Sequence, residues 1–344
     1  MRRNPMKRLL GAVAAAMLAF APAAQATLPL EAWELYRQKF VMSDGRVVDD
    51  LNGAISHSES QGYGLLLACL AGDRTSFARI LAFTRTELLI RDDGLAAWRW
   101  DPKATPRVTD INNATDGDLL IAYALNCAGS AWAMPGYTNA ARQLARNIAK
   151  ATFLKRGSET WLMPAVSGFS EKDRADGPVV NPSYWVFEAL PVMARLTGDN
   201  GWLKVQATGL KLLDTLAKAN MPAPEWMSVK AEPRPADGFP AQFGYNAMRV
   251  PLYLLRAGLG EPGRLAPFRA AWANGPAIVD VRSKQAVEQL SDPGYRILVA
   301  ALACAADGTA IPQELKSFVP TAYYPSTLHL LTLAMLSERY QRCM

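Results

Sequence analysis

Six stretches of this 344-residue chain repeat one layout: a loop carrying Gly, Asn, Asp or Pro, then an apolar run with helical spacing, often closed by Gly. They begin near Glu59, Asp116, Ser183, Tyr245, Pro293 and Pro325; the first reads GYGLLLACLAG and the fifth GYRILVAALACAADG. Helices this apolar on most faces must be buried inside a larger helical body. Between them lie amphipathic stretches at residues 76–89, 138–151, 201–219 and 263–272. Strand-like alternation is scarce. Buried helices alternating with half-exposed ones predict two concentric rings, an all-α toroid of six helical hairpins. An open solenoid is the alternative, and the unequal spacing between units favours closure. In a closed ring the starts of the inner helices meet at one rim, so residues far apart in the chain share one surface.

The amino terminus reads MRRNPMKR, then an apolar run over residues 9–22, then Ala24-Gln25-Ala26. A basic start, a short apolar core and a small-x-small site predict a secretory signal peptide over residues 1–26, cleaved after Ala26. The apolar run is short of the ~20 residues a bilayer span needs. No membrane insertion of the mature chain is expected, and the localisation is periplasmic or secreted. Residues 27–344 read as a single domain, because no Ser/Gly-rich or Pro-rich linker divides them. Loss of Arg2, Arg3, Lys7 and Arg8 takes the formal charge from +6 to about +2 and leaves no basic tract of the kind that binds nucleic acid. Cys69, Cys127 and Cys304 lie late in apolar runs, where cysteine packs as a small hydrophobe. Together with Cys343 they are read as buried thiols rather than bridges. His57 and His329 are the only histidines, which excludes a His-rich metal site.

Two acidic motifs stand at helix starts: Ser58-Glu59-Ser60-Gln61-Gly62-Tyr63-Gly64 and Asn113-Ala114-Thr115-Asp116-Gly117-Asp118. Carboxyl groups at neighbouring helix ends suit acid-assisted cleavage of a glycosidic bond. The bland alternative is helix capping: Ser58 or Ser60 caps while Glu59 stabilises the first turn, and one of Asp116 and Asp118 caps the next helix. Asp110, Asn112, Asp116 and Asp118 do not have the spacing of a calcium-binding loop. Nine tryptophans raise the question of sugar stacking. Trp98, in a loop-like stretch, is the strongest candidate, and the others read mostly as packing. Arg249 lies three residues from Asn246, on the same helical face, where it can hold a carboxylate or a sugar hydroxyl.

Together these residues resemble glycoside hydrolase family 8, in particular the periplasmic endo-β-1,4-glucanases that accompany bacterial cellulose synthase. The most specific parts are the motif from Ser58 to Gly64 and Ala114-Thr115-Asp116-Gly117-Asp118; Asn181-Pro182-Ser183-Tyr184, Tyr245-x-x-x-Arg249-Val250-Pro251 and Tyr323-Tyr324 are less specific. The resemblance implies an (α/α)6 barrel and hydrolysis of β-1,4-glucan with inversion, without a cofactor or metal. It implies Glu59 as general acid and Asp116 as the residue that holds the reactive sugar. Trp98, Tyr184, Tyr245, Arg249, Tyr323 and Tyr324 would line the substrate cleft. The expected partners are a β-1,4-glucan chain and the cellulose synthase complex.

The family's cellulases carry their catalytic base as an Asp directly after the tyrosine of Tyr-x-x-x-Arg. Here that position is Asn246, and a carboxamide can orient a water but cannot accept its proton. Three explanations follow. Another carboxylate serves, with Asp116, Glu232 and Asp237 as candidates; or the chain is an impaired enzyme that still binds glucan; or the residue is an engineered substitution. Action on chitosan or xylan, and a catalytically weak glucan-binding role, are the alternative functions.

Overall fold

The computed structural model describes residues 28–344, so the expected signal peptide lies outside the described residues. Among the described residues, twelve α-helices alternate between two rings. The outer ring holds α1 (Leu30–Phe40), α3 (Arg74–Phe83), α5 (Pro135–Thr152), α7 (Gly201–Lys218), α9 (Pro262–Ala271) and the short α11 (Gln313–Lys316). The inner ring holds α2 (Ser58–Leu70), α4 (Thr115–Ala131), α6 (Leu190–Thr197), α8 (Arg249–Ala257), α10 (Pro293–Asp307) and α12 (Tyr323–Arg339). This is the (α/α)6 barrel that the repeated layout predicts.

Burial follows the sequence pattern. α2, α4, α8 and α12 are buried along most of their length. α5 buries one stripe, Ala141, Leu144, Ala145 and Ile148. The ring closes through its last member, because α12 packs against α2, α8 and α10. One continuous apolar core runs from Leu28 to Cys343.

Two inner units begin differently from expectation. The third has a 3-10 turn, Pro182–Tyr184, and its α-helix starts only at Leu190. Pro191 explains the delay: it lacks an N–H and its ring excludes a preceding helical turn, so it is tolerated only at a helix start. The fourth opens with a 3-10 turn, Asn246–Met248, before α8. Short antiparallel strand pairs decorate the loops, among them Phe153–Arg156 with Glu159–Leu162 and Ala277–Asp280 with Ala286–Gln289.

The cysteines depart from the thiol reading. Cys69 is bonded to Cys127 and Cys304 to Cys343. The first bridge joins α2 to α4 and the second ties the carboxyl terminus to α10. The sequence separations of 58 and 39 residues carry no sign of pairing, because the pairing depends on which inner helices become neighbours.

Candidate active site

The start of α2 fixes Glu59. The cap is His57, not the serine proposed from sequence: its Nδ1 accepts the Ser60 N–H at 3.0 Å, and the His57 N–H reaches Ser60 Oγ at 3.0 Å. Glu59 is therefore free of a capping duty. At the start of α4 the cap residue is Ala114, which has no side-chain acceptor, so neither aspartate of that motif caps its helix. Asp118 is buried and accepts from the Ala96 N–H at 2.7 Å and the Asn113 amide at 3.0 Å, which holds the preceding loop in place. Asp116 turns the other way, toward α8.

Arg249 joins the two motifs. Its guanidinium is fully buried, and all five N–H donors are engaged. Nη1 donates to Glu59 Oε2 and, at 2.8 Å, to Asp116 Oδ2. Nη2 donates to Ser183 Oγ at 2.9 Å and Asn246 Oδ1 at 3.1 Å, while Nε reaches the Asn246 carbonyl at 3.2 Å. Four inner units are thus tied to one cation. The Asp116 side chain is 2 % exposed and that of Glu59 is 14 % exposed, so Glu59 is the more open to solvent. Burial pushes the Asp116 carboxyl up to about 6; Arg249 opposes this and the Glu59 charge adds to it.

Above this cluster lies a cleft of about 620 Å³. Glu59, Trp98, Asp116, Tyr184, Tyr245, Asn246, Tyr323 and Tyr324 all border it. Tyr245 is exposed and donates its hydroxyl to Glu288 at 3.0 Å. The Tyr324 hydroxyl donates to the Tyr245 carbonyl at 2.6 Å, which holds the two rings at one rim. Trp98 is anchored by its indole N–H on Asp110 at 2.8 Å. Tyr323 differs from the others: it is 1 % exposed and its hydroxyl has no hydrogen-bond partner among the described residues. Arg249 is the exception among the candidate residues, because it supports the cleft from beneath and does not line it. A larger recess, about 720 Å³, lies between α5 and the start of α7. Its two carboxylates are engaged, Glu159 by Lys211 at 2.6 Å and Asp199 by the Gly201 N–H at 2.7 Å, so the smaller cleft is the candidate for the chemistry.

Two candidates for a replacement base fall elsewhere. Glu232 borders a separate recess beside Trp161 and Lys211. Asp237 pairs with Arg234 at 2.6 Å on the surface. Sequence reasoning also missed residues that the cleft gathers. Tyr295 opens the fifth inner helix, and the rule that selected Tyr184 would have found it. Asp49 and His57 face each other at 3.4 Å on one wall; the Asp49 side has no motif that marks it. Glu225, in the loop after α7, does not itself border the cleft; it accepts the N–H of Asn246, which does, at 2.8 Å. Among the described residues no cluster of His, Cys, Asp and Glu could hold a metal ion.

Known proteins share this architecture. The family model described as Glycosyl hydrolases family 8 matches residues 5–338. A probable endoglucanase of Novacetimonas hansenii is 36% identical over 316 residues, covering 89% of this chain and 90% of the relative. An endoglucanase of Cellulomonas uda is 33% identical, covering 80% and 75%. The solved structure of the endo-β-1,4-glucanase CMCax from Acetobacter xylinum superposes with a TM-score of 0.79 at 33% identity, covering 94% of this chain and all of that one. The chain belongs to glycosyl hydrolases family 8 and is a glycoside hydrolase.

Proposed function

We propose that the protein is an endo-acting β-1,4-glucanase that cuts single glucan chains with inversion, with Glu59 as general acid. The observation that carries this reading is the cluster in which Glu59 and Asp116 share one nitrogen of a buried arginine beneath an aromatic-lined cleft. A glucan chain lying across it would stack sugar faces on Trp98, Tyr184, Tyr245 and Tyr324 while hydroxyls seek polar partners. Glu59 gives its proton to the bridging oxygen as the C1–O bond breaks. Asp116 then holds the hydroxyls or the developing positive charge of the reactive sugar. The cleft opens to solvent at Leu51, Asn52 and Tyr245, which suits entry of an internal stretch of polymer.

The cellular setting is part of the proposal. The basic-apolar start of the chain supports export to the periplasm. Similarity to a CMCax-type glucanase supports a role in trimming cellulose as it leaves the cell, near its synthase. Reducing-sugar release from carboxymethylcellulose tests the activity. Glu59→Gln should lower the rate by about 10²–10⁴-fold; an unchanged rate would remove Glu59 from the acid role.

A further inference from the structure

Inversion needs a second group that takes a proton from the attacking water, on the face of the sugar opposite the acid. Asn246 cannot do this. Asp116 is too close to the acid: its oxygen and that of Glu59 bond to one nitrogen, so they lie within two hydrogen-bond lengths, at most about 6 Å apart. An inverting pair stands roughly 6.5–9.5 Å apart to admit the water. Asp49 is taken up by His57, the residue that caps the helix of Glu59. Glu288 reaches only the outer hydroxyl of Tyr245. Asp118 is committed to the loop beside it.

Glu225 remains, and its surroundings are built around it. Its own N–H donates to the Gln242 carbonyl at 2.9 Å. Its Oε1 takes the backbone N–H of Asn246 at 2.8 Å, which places the Asn246 residue directly against it. Gly244 keeps the space open: a Cβ there would lie 2.8 Å from Oε1. The charged group facing Glu225 is Arg249 of α8, and Tyr184 of the third unit feels its charge. A chain of hydrogen bonds links the two carboxyls, from Glu59 to Arg249, from Arg249 to the Asn246 amide oxygen, and from the Asn246 N–H to Glu225. Burial lifts its carboxyl above the ordinary range, against the Asn246 backbone hydrogen bond and the Arg249 charge, which makes its anion a stronger base.

We infer that Glu225 is the general base of the hydrolysis, and that Asn246 orients the attacking water for it. Asn246 Oδ1 carries one hydrogen bond from Arg249, which leaves a second lone pair for the water. The water oxygen bonds to C1 as the C1–O bond to the leaving sugar breaks. Glu59 supplies the proton to that leaving oxygen, and the water's proton passes to Glu225. Exchange with solvent returns both carboxyls to their starting states. This inference rests on the inverting glucanase reading above.

Turnover of cellopentaose by the full-length mature protein tests it. Glu225→Gln should lower kcat by about 10²–10⁴-fold and leave KM within a few-fold. Glu225→Ala should regain rate with sodium azide and release the α-glycosyl azide, because azide attacks C1 with no proton to lose. The double variant Glu225→Gln/Asn246→Asp should recover at least about tenfold over Glu225→Gln, through a carboxylate at 246. A residue that only props the loop would raise KM or unfold the protein, and neither azide nor Asn246→Asp would rescue it; that pattern overturns the inference. Near-normal kcat in Glu225→Gln also overturns it while leaving the glucanase reading intact. A wild type that binds cello-oligosaccharide and never releases product removes both.

Discussion

Arg249 is the residue on which the site depends. A buried guanidinium without partners would be very costly, and here every donor is used, two of them on carboxylates. The same cation fixes where Glu59 and Asp116 stand. Asp118, two residues from Asp116, has a different task and a different titration. Burial pushes its carboxyl up to about 7 from an ordinary 3.8, against the Ala96 and Asn113 hydrogen bonds. The folded state then binds a proton that the unfolded chain has released. The stability from this group is full below the unfolded value and is lost as pH rises through about 7. Wild type should therefore lose stability relative to Asp118→Asn between about pH 4.5 and pH 7.5, read by urea denaturation of both proteins. A constant difference between them would show that Asp118 is ionised throughout. Glu59 and Asp116 could be picked from sequence because each sits in a contiguous motif at a helix start. Glu225 could not, because its contact with Asn246 spans 21 residues of irregular chain.

Between elements, the contact of α2 with α4 sets the register of the two acidic motifs. Gly62 and Gly117 make it possible. A Cβ on Gly117 would lie 2.1 Å from Ser58 Oγ and 2.7 Å from the Glu59 nitrogen, and one on Gly62 would lie 2.6 Å from Leu120 Cβ. Gly117→Ala should force the helices apart at a cost of about 1–3 kcal/mol. Displacing Glu59 by about 1 Å should lower kcat by about 10²-fold with a smaller effect on cello-oligosaccharide affinity. Steady-state kinetics and calorimetry separate the two effects, and unchanged kcat would mean that the register tolerates a methyl group. The Cys69–Cys127 bridge secures the other end of the same helix pair. For closed loops of 58 and 39 residues, chain entropy gives about 4 kcal/mol each, and measured losses are typically about 2–4 kcal/mol. Cys69→Ser/Cys127→Ser should lower the unfolding free energy by that amount, seen as a lower denaturant midpoint; an unchanged midpoint would contradict the stabilising role. The glycines could be noted from sequence only as part of a motif. Their purpose, like the bridge, depends on helices that are neighbours in space and separated in the chain.

Ring closure is what turns scattered residues into one site. The loop-then-apolar-helix layout predicts six inner helices whose starts meet at a rim, and the cleft there draws on residues from Asp49 to Pro325. Composition and periodicity sufficed for this architecture because burial on all faces leaves an inner helix few other places to go. They could not supply the 3-10 starts of the third and fourth units, which depend on Pro191 and on the turn at Asn246. The most direct measurement on the whole enzyme is proton NMR of the anomeric signals during cellopentaose hydrolysis, by wild type and by Glu59→Gln. Inverting cleavage with Glu59 as acid predicts that wild type releases the α-anomer first, before mutarotation, and that Glu59→Gln binds the oligosaccharide and releases almost nothing. Initial β-anomer, or Glu59→Gln turning over at the wild-type rate, would contradict it.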